Sequence, residues 1–293
     1  MDPKSADLFN LVFLKQFLTG EIGLDDNGDN VFKLQQLINR WSLILFVAIL
    51  AIYGLVAFTP SEVLFEFARS SSQSARRFED GPIELFGAIC FLGSAIFFFV
   101  VYWRSKQGND FFLFSTSRNI FFLLLAIIFF MGAGEEMSWG QRQLGLETPD
   151  WIKSVNRQDE LNIHNITIFH GEDAEGNRKT GFDSLLNIDR LFSIFWLSYC
   201  VVLSLIVQAS RRLAGFVRKL NIPLVPIWLG LLFPLNYVLS KLLVVSAFRP
   251  AFDMNNLYVH YTVELKESLF AFLFLNLALF FLIFHHERKL NKA

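Results

Sequence analysis

Long apolar blocks alternate along the chain with short charged stretches. An α-helix needs roughly 20 apolar residues to cross about 30 Å of hydrocarbon. Six blocks reach or approach that length: 41–59, 83–103, 119–134, 189–208, 223–245 and 264–286. The third is short and runs directly into Glu135 and Glu136. The fifth holds Pro223, Pro226 and Pro234. Kinks are expected there, of the kind that neighbouring helices re-satisfy in a membrane. The pattern predicts an all-α fold, a polytopic transmembrane helical bundle of about six spans.

Ahead of the spans, residues 1–40 read as an amphipathic segment. Leu8, Leu11, Val12, Leu14, Phe17 and Leu18 fall at spacings that cover one helical face. Val31, Leu34, Leu37 and Ile38 repeat the pattern just before Trp41. A helix lying in the cytoplasmic interface is expected, with docking onto a partner as the sharper alternative. The turn-rich stretch 23–30 is acidic like a calcium loop but lacks that loop's spacing and terminal Glu. The transmembrane domain then covers 41–287, with a large loop at 135–188 between spans three and four and a basic tail at 288–293. Within the loop, Thr148 as N-cap, Pro149 at the first helical position and Asp150 in the first turn predict a short helix. The polar stretch 171–181 is expected to be exposed.

Composition supports the membrane reading. The 293 residues are 53% hydrophobic and include 35 Phe, above the usual apolar share of soluble domains. Net charge is −1, which gives no reason to expect a nucleic-acid partner. Cys90 and Cys200 both lie inside apolar blocks and are expected to pack rather than form a disulfide. No pattern of basic start, apolar run and small-residue cleavage site opens the chain, so the first span is expected to act as its own insertion signal. Basic residues set the orientation. Arg104, Lys106 and Arg118 follow span two, Arg211, Arg212, Arg218 and Lys219 follow span four, and Arg288, Lys289 and Lys292 form the tail. With six spans these share one side, expected to be cytoplasmic together with both termini. The 135–188 loop would then lie outside.

Three polar clusters converge on that outer side. Glu135 and Glu136 end the third span, and ionisable residues at membrane depth are costly enough to suggest function. Adjacent residues on a helix point about 100° apart, so the two should do different jobs, one facing a site and one pairing with a base such as Arg142. The second cluster runs from Asn156 through Glu160, Asn162 and His164 to Asn165. The third is His260, Glu264 and Glu267, spaced i, i+4 and i+7 on one helical face. That spacing suits metal ligation, or equally a plain acidic helix start. Lys266 could pair with a neighbouring acid, and Asp189 with Arg190 could form an ion pair at the same level. Ser240 and Lys241, as helical neighbours, diverge and do not suggest a catalytic dyad. Phosphate-cradling Gly-rich loops, nucleophile elbows and zinc-type Cys pairs are missing from the sequence.

The string Gly134-Glu-Glu-Met-Ser-Trp-Gly-Gln-Arg142, with Glu147-Thr-Pro and Asn162-Ile-His-Asn165, resembles a motif of bacterial multi-pass membrane proteins of unassigned function. The resemblance covers residues 134–165 and implies a bacterial inner-membrane protein, without an activity. Glu135 and Glu136 are also similar to the paired glutamates of CAAX-type intramembrane proteases, but Arg142 stands two positions later than that family's arginine.

The functional expectation is a membrane-embedded hydrolase or transferase acting on a lipid or lipid-linked substrate at the outer face. Glu135, Glu136, His164 and Glu264 are the candidate catalytic residues. A divalent metal such as Zn²⁺, held by His164, His260, Glu136 and Glu264, would activate water. Gln141, Arg142, Asn162, Asn165, Lys241 and Glu267 would support the site. Two other classes remain open: an ion-coupled transporter using the same groups as a relay, and a structural or assembly protein whose polar clusters pin the loop to the helices.

Overall fold

The computed structural model describes residues 28–59, 82–105, 118–156, 160–163, 166–171, 177, 179–245 and 257–290. Among these, side chains are described except at 28–39, 142–143, 218, 244–245, 257–261 and 284–290. Every regular element among the described residues is helical. The expected interfacial pattern at 8–18 and the basic tail beyond 290 lie outside the described residues.

Among the described residues, four helices are long and apolar enough to cross a membrane: Arg40–Phe58, Pro82–Arg104, Ile188–Ala209 and Thr262–Ile283. The first is the apolar part of α1, Gly28–Phe58, which begins well before Trp41. Its start therefore joins the second half of the predicted amphipathic segment to the span. α2 is Pro82–Arg104 and α3 is Ile120–Glu136. α3 has 17 residues, about 25 Å at 1.5 Å per residue. α4 is Ile188–Ala209 and α5 is the short helix Arg211–Lys219.

The 223–245 block does not form one helix. Residues 222–226 run without helical structure into a single turn, Ile227–Gly230, and then into α6, Leu232–Val245. Pro223 and Pro226 lack the N–H that a helix interior requires. Pro234 is tolerated because it falls in the first turn of α6, where that N–H has no partner anyway. The freed Val225 carbonyl is buried and accepts from Ser204 Oγ at 2.8 Å. The last helix, α7, is Leu257–Leu290.

Ring contacts give the helix directions. Phe91 meets Phe129 and Phe98 meets Phe122, so α2 and α3 are antiparallel. Phe122 meets Phe281 and Phe129 meets Phe274, so α3 and α7 are antiparallel too. Phe274 is the hub, with ring centroids 4.5 Å from Phe129 and 4.7 Å from Phe233.

The distribution of polarity is that of a bundle in lipid. Leu43, Val47, Ile89, Ile96, Ile127 and Val238 point outward on their helices. Ser94, Asn236, Thr262, Ser268 and Asn276 point inward. Burying apolar side chains gains little when lipid is equally apolar, so close packing and interhelical hydrogen bonds must hold such helices. Trp41 Nε1 donates to Asn276 Oδ1 at 3.0 Å, joining α1 to α7. Tyr53 Oη donates to Asn236 Oδ1 at 2.6 Å, and Asn236 Nδ2 donates to the Lys266 carbonyl at 2.9 Å. Ser268 Oγ donates to the Ile83 carbonyl at 2.7 Å, joining α7 to α2. Each such bond contributes about 0.6 kcal/mol on average.

Close approach is tightest where α4 widens into a π-helical stretch, Leu197–Val202. A methyl group on Gly230 would come within 2.2 Å of the Cys200 carbonyl oxygen. Gly230→Ala is expected to lower stability by about 1–3 kcal/mol, measured by thermal unfolding of the detergent-solubilised chain. Gly54→Ala, where a methyl group meets open space, should leave the midpoint unchanged or raise it.

Candidate functional site

α3 stops at Glu136 because Met137 leaves helical geometry and the next three residues turn left-handed. Ser138, Trp139 and Gly140 have φ of 43°, 54° and 75°. A left-handed φ at a bulky residue such as Trp139 is strained. The surroundings fix it. Trp139 Nε1 donates to Glu135 Oε1 at 2.8 Å, one turn back. The indole lies over Gly134, where a methyl group would come within 2.7 Å of the ring. It also meets Phe130 edge-on at 6.2 Å. Gly134, Glu135 and Trp139 thus act together to reverse the chain.

The reversed turn grips the second polar cluster. Ser138 is buried and its Oγ donates to Glu160 Oε2 at 3.0 Å. Asn162 Nδ2 donates to the same Glu160 oxygen. Asn156 Nδ2 donates to the Asn162 carbonyl at 2.9 Å. Gln141 bridges two loop segments, accepting from Leu161 N–H at 2.7 Å and donating to Thr148 Oγ1 at 2.6 Å. Glu135 Oε2 accepts from Ile163 N–H at 2.6 Å. Ser138, Gln141, Thr148, Asn156, Glu160 and Asn162 are all buried. A buried network with partners for its members specifies one loop conformation.

Glu135, Gln141 and Asn162, expected as catalytic or supporting residues, therefore hold the loop. Thr148 differs from its expected role. The helix Asp150–Lys153 takes Pro149 as its N-cap, and the Thr148 hydroxyl is turned to Gln141. Ser138 and Asn156 carried no assigned role in the sequence reading. The legible signal for Asn156 was the density of polar side chains over 156–165.

A separate group of carboxylates lies across the helices. Glu264 on α7 interacts electrostatically with Glu267, Glu84, Glu136 and Lys266. Glu84 sits in the first turn of α2, where a helix dipole favours an acid. It was not singled out from sequence. Three helices thus deliver acids to one end of the bundle, and the neighbours Glu135 and Glu136 serve different partners. Lys266 Nζ lies 3.1 Å from Glu267 Oε1. Lys241 is exposed, its ammonium 5.5 Å from the Tyr237 ring centroid. Arg190 donates to the Ser184 carbonyl at 3.0 Å rather than forming the expected pair with Asp189. His164 and Asn165, and the side chains of Arg142 and His260, lie outside the described residues. Among the described residues, no group of three or more His, Cys, Asp or Glu has a metal-holding arrangement. Compared with family models, curated proteins and solved structures, the chain matches none.

Glu160→Leu removes the acceptor of the buried Ser138 hydroxyl, while Asn162 Nδ2 keeps its bond to Ser138 Oγ at 3.3 Å, and is expected to cost about 1–3 kcal/mol. Thermal unfolding and limited proteolysis between 145 and 188 measure this. Glu160→Gln, which retains an acceptor oxygen, should be much milder.

Proposed function

We propose that the chain is a bacterial inner-membrane protein of six passes that acts on the polar part of a lipid or lipid-linked substrate by hydrolysis or group transfer. In this reading α3 and the broken Ile227–Val245 stretch also cross the bilayer, and the Glu136–Glu264 end faces outward. What supports it is that Glu84, Glu136 and Glu267 all act electrostatically on Glu264, so that α2, α3 and α7 bring acids to one end of the bundle, beside a loop bonded to Glu135 and Gln141. Carboxylates held close together repel one another in their charged forms, which lets one stay protonated while another accepts a proton. Such a pair suits general acid–base chemistry on a phosphate or acyl ester at the bilayer boundary. Glu136 and Glu264 are the acid–base residues in this proposal, and Glu135 is a positioning residue. A divalent ion on Glu136 and Glu264 is the metal-assisted form of the same reading.

The fully bonded Ser138–Glu160–Asn162 network favours a second reading, in which the loop is a built platform for assembly and the acids only help to seat it.

Purified protein reconstituted with labelled phospholipids and lipid-linked phosphates separates the two. Product is followed by mass spectrometry, and metal content is measured alongside. Turnover should fall about 10²–10⁴-fold in Glu136→Gln and in Glu264→Gln, with thermal stability retained. Undiminished turnover in both variants would sink the catalytic assignment. A loss of stability with no turnover in any form would favour the platform.

A further inference from the structure

At the opposite end of the bundle, α5 presents a fixed basic face. Ser210 breaks α4 with an extended backbone and then starts α5, its carbonyl accepting from Ala214 N–H at 2.9 Å. Ala214 and Val217 are buried against Val207 and Leu224, so that side of α5 is seated on the bundle. At the far end Asn221 turns left-handed at φ 53°, and Ile222 N–H donates to the Val217 carbonyl. The Asn221 carbonyl also accepts from Asn119 Nδ2 at 2.7 Å, which ties α5 to the start of α3. The helix cannot roll without breaking these contacts.

Its outward stripe is Arg212, Phe216 and Lys219, spaced i, i+4 and i+7. Arg212 and Lys219 are exposed, and Phe216 between them is 55% exposed. An apolar ring flanked by two cations is the pattern of a helix that rests on acyl chains and reaches phosphates. Charge complementarity is strong: no Asp or Glu occurs between Asp189 and Asp253. The same end carries Trp103, 61% exposed, with the Arg118 guanidinium 3.8 Å from its ring centroid. Trp at such a level marks a bilayer–water boundary.

We propose that the Arg212–Phe216–Lys219 face of α5 binds anionic phospholipid headgroups in the leaflet at this end of the bundle. Phe216 enters the acyl region while Arg212 and Lys219 hold the phosphodiester. A double positive site on a rigid helix selects anionic over zwitterionic lipid. It therefore also favours placing this end in the leaflet richer in anionic lipid.

The test uses the full chain, delipidated in mild detergent and titrated with phosphatidylglycerol or phosphatidylcholine. Bound lipid is counted by native mass spectrometry and the unfolding midpoint is recorded. Wild type should retain phosphatidylglycerol about tenfold more tightly than phosphatidylcholine. Arg212→Gln/Lys219→Gln should erase that preference, and Phe216→Ala should weaken both lipids. Lys153→Gln, in the loop at the other end, should change neither. Equal binding of the two lipids by wild type, or a preference that survives in the double variant, would overturn the proposal. Equal stabilisation by glycerophosphoglycerol, which lacks acyl chains, would overturn it as well, because the site would then read a soluble phosphodiester.

Discussion

Hydrocarbon offers no hydrogen-bonding partner, so each polar group carried below the membrane surface has to be met from within the chain. That requirement organises most of this protein's interhelical contacts, with the buried Trp196 Nε1 and Tyr199 Oη of α4 as exceptions. Asn236, fully buried in α6, takes the Tyr53 hydroxyl and gives its amide to the Lys266 carbonyl, joining three helices at one point. Asn276 accepts from Trp41 and returns its own amide to the Phe272 carbonyl. Where Pro223 and Pro226 interrupt the helix, Ser204 satisfies the Val225 carbonyl and Gly230 lets the π-helical stretch of α4 come close. The aromatic packing around Phe274 fills the space between these fixed points.

The same requirement explains the loop after α3. The chain reverses at the bundle's end through three left-handed residues, a conformation that isolated Ser or Trp would avoid. Glu135 compensates by bonding both the Trp139 indole and the Ile163 amide, and Ser138 turns inward to Glu160. A second set of acids, Glu136, Glu264, Glu84 and Glu267, comes from three helices and interacts electrostatically at Glu264. One end of the molecule thus carries acids from α2, α3 and α7 together with the hydrogen-bonded loop that follows α3. The other carries a basic helix with an exposed Phe.

Much of the fold was legible because membrane helices leave a strong signal. The blocks at 83–103 and 189–208 match α2 and α4 to within a residue at each end. The 223–245 block was harder, since apolar content says nothing about whether a proline sits in a first turn or an interior. The helical pattern at Val31–Ile38 reads as part of a separate amphipathic segment, whereas α1 runs from Gly28 into the span without a break. At the loop, the separate duties of Glu135 and Glu136 followed from helical period, but the partners did not. Glu84 was invisible because only the packing of α2 on α7 brings it toward Glu264. Thr148 read as a helix cap because local sequence cannot show that Gln141 competes for its hydroxyl.

The account rests on the two ends of the bundle lying on opposite sides of a membrane. The only two cysteines, Cys90 and Cys200, are both buried. Single cysteines at Ser154, in the loop, and at Arg212, on α5, can therefore be labelled in sealed vesicles with a membrane-impermeant maleimide. Ser154→Cys should react from one side only, and Arg212→Cys only after the other side is opened. Labelling of both from the same side would contradict a bundle that spans the bilayer between them.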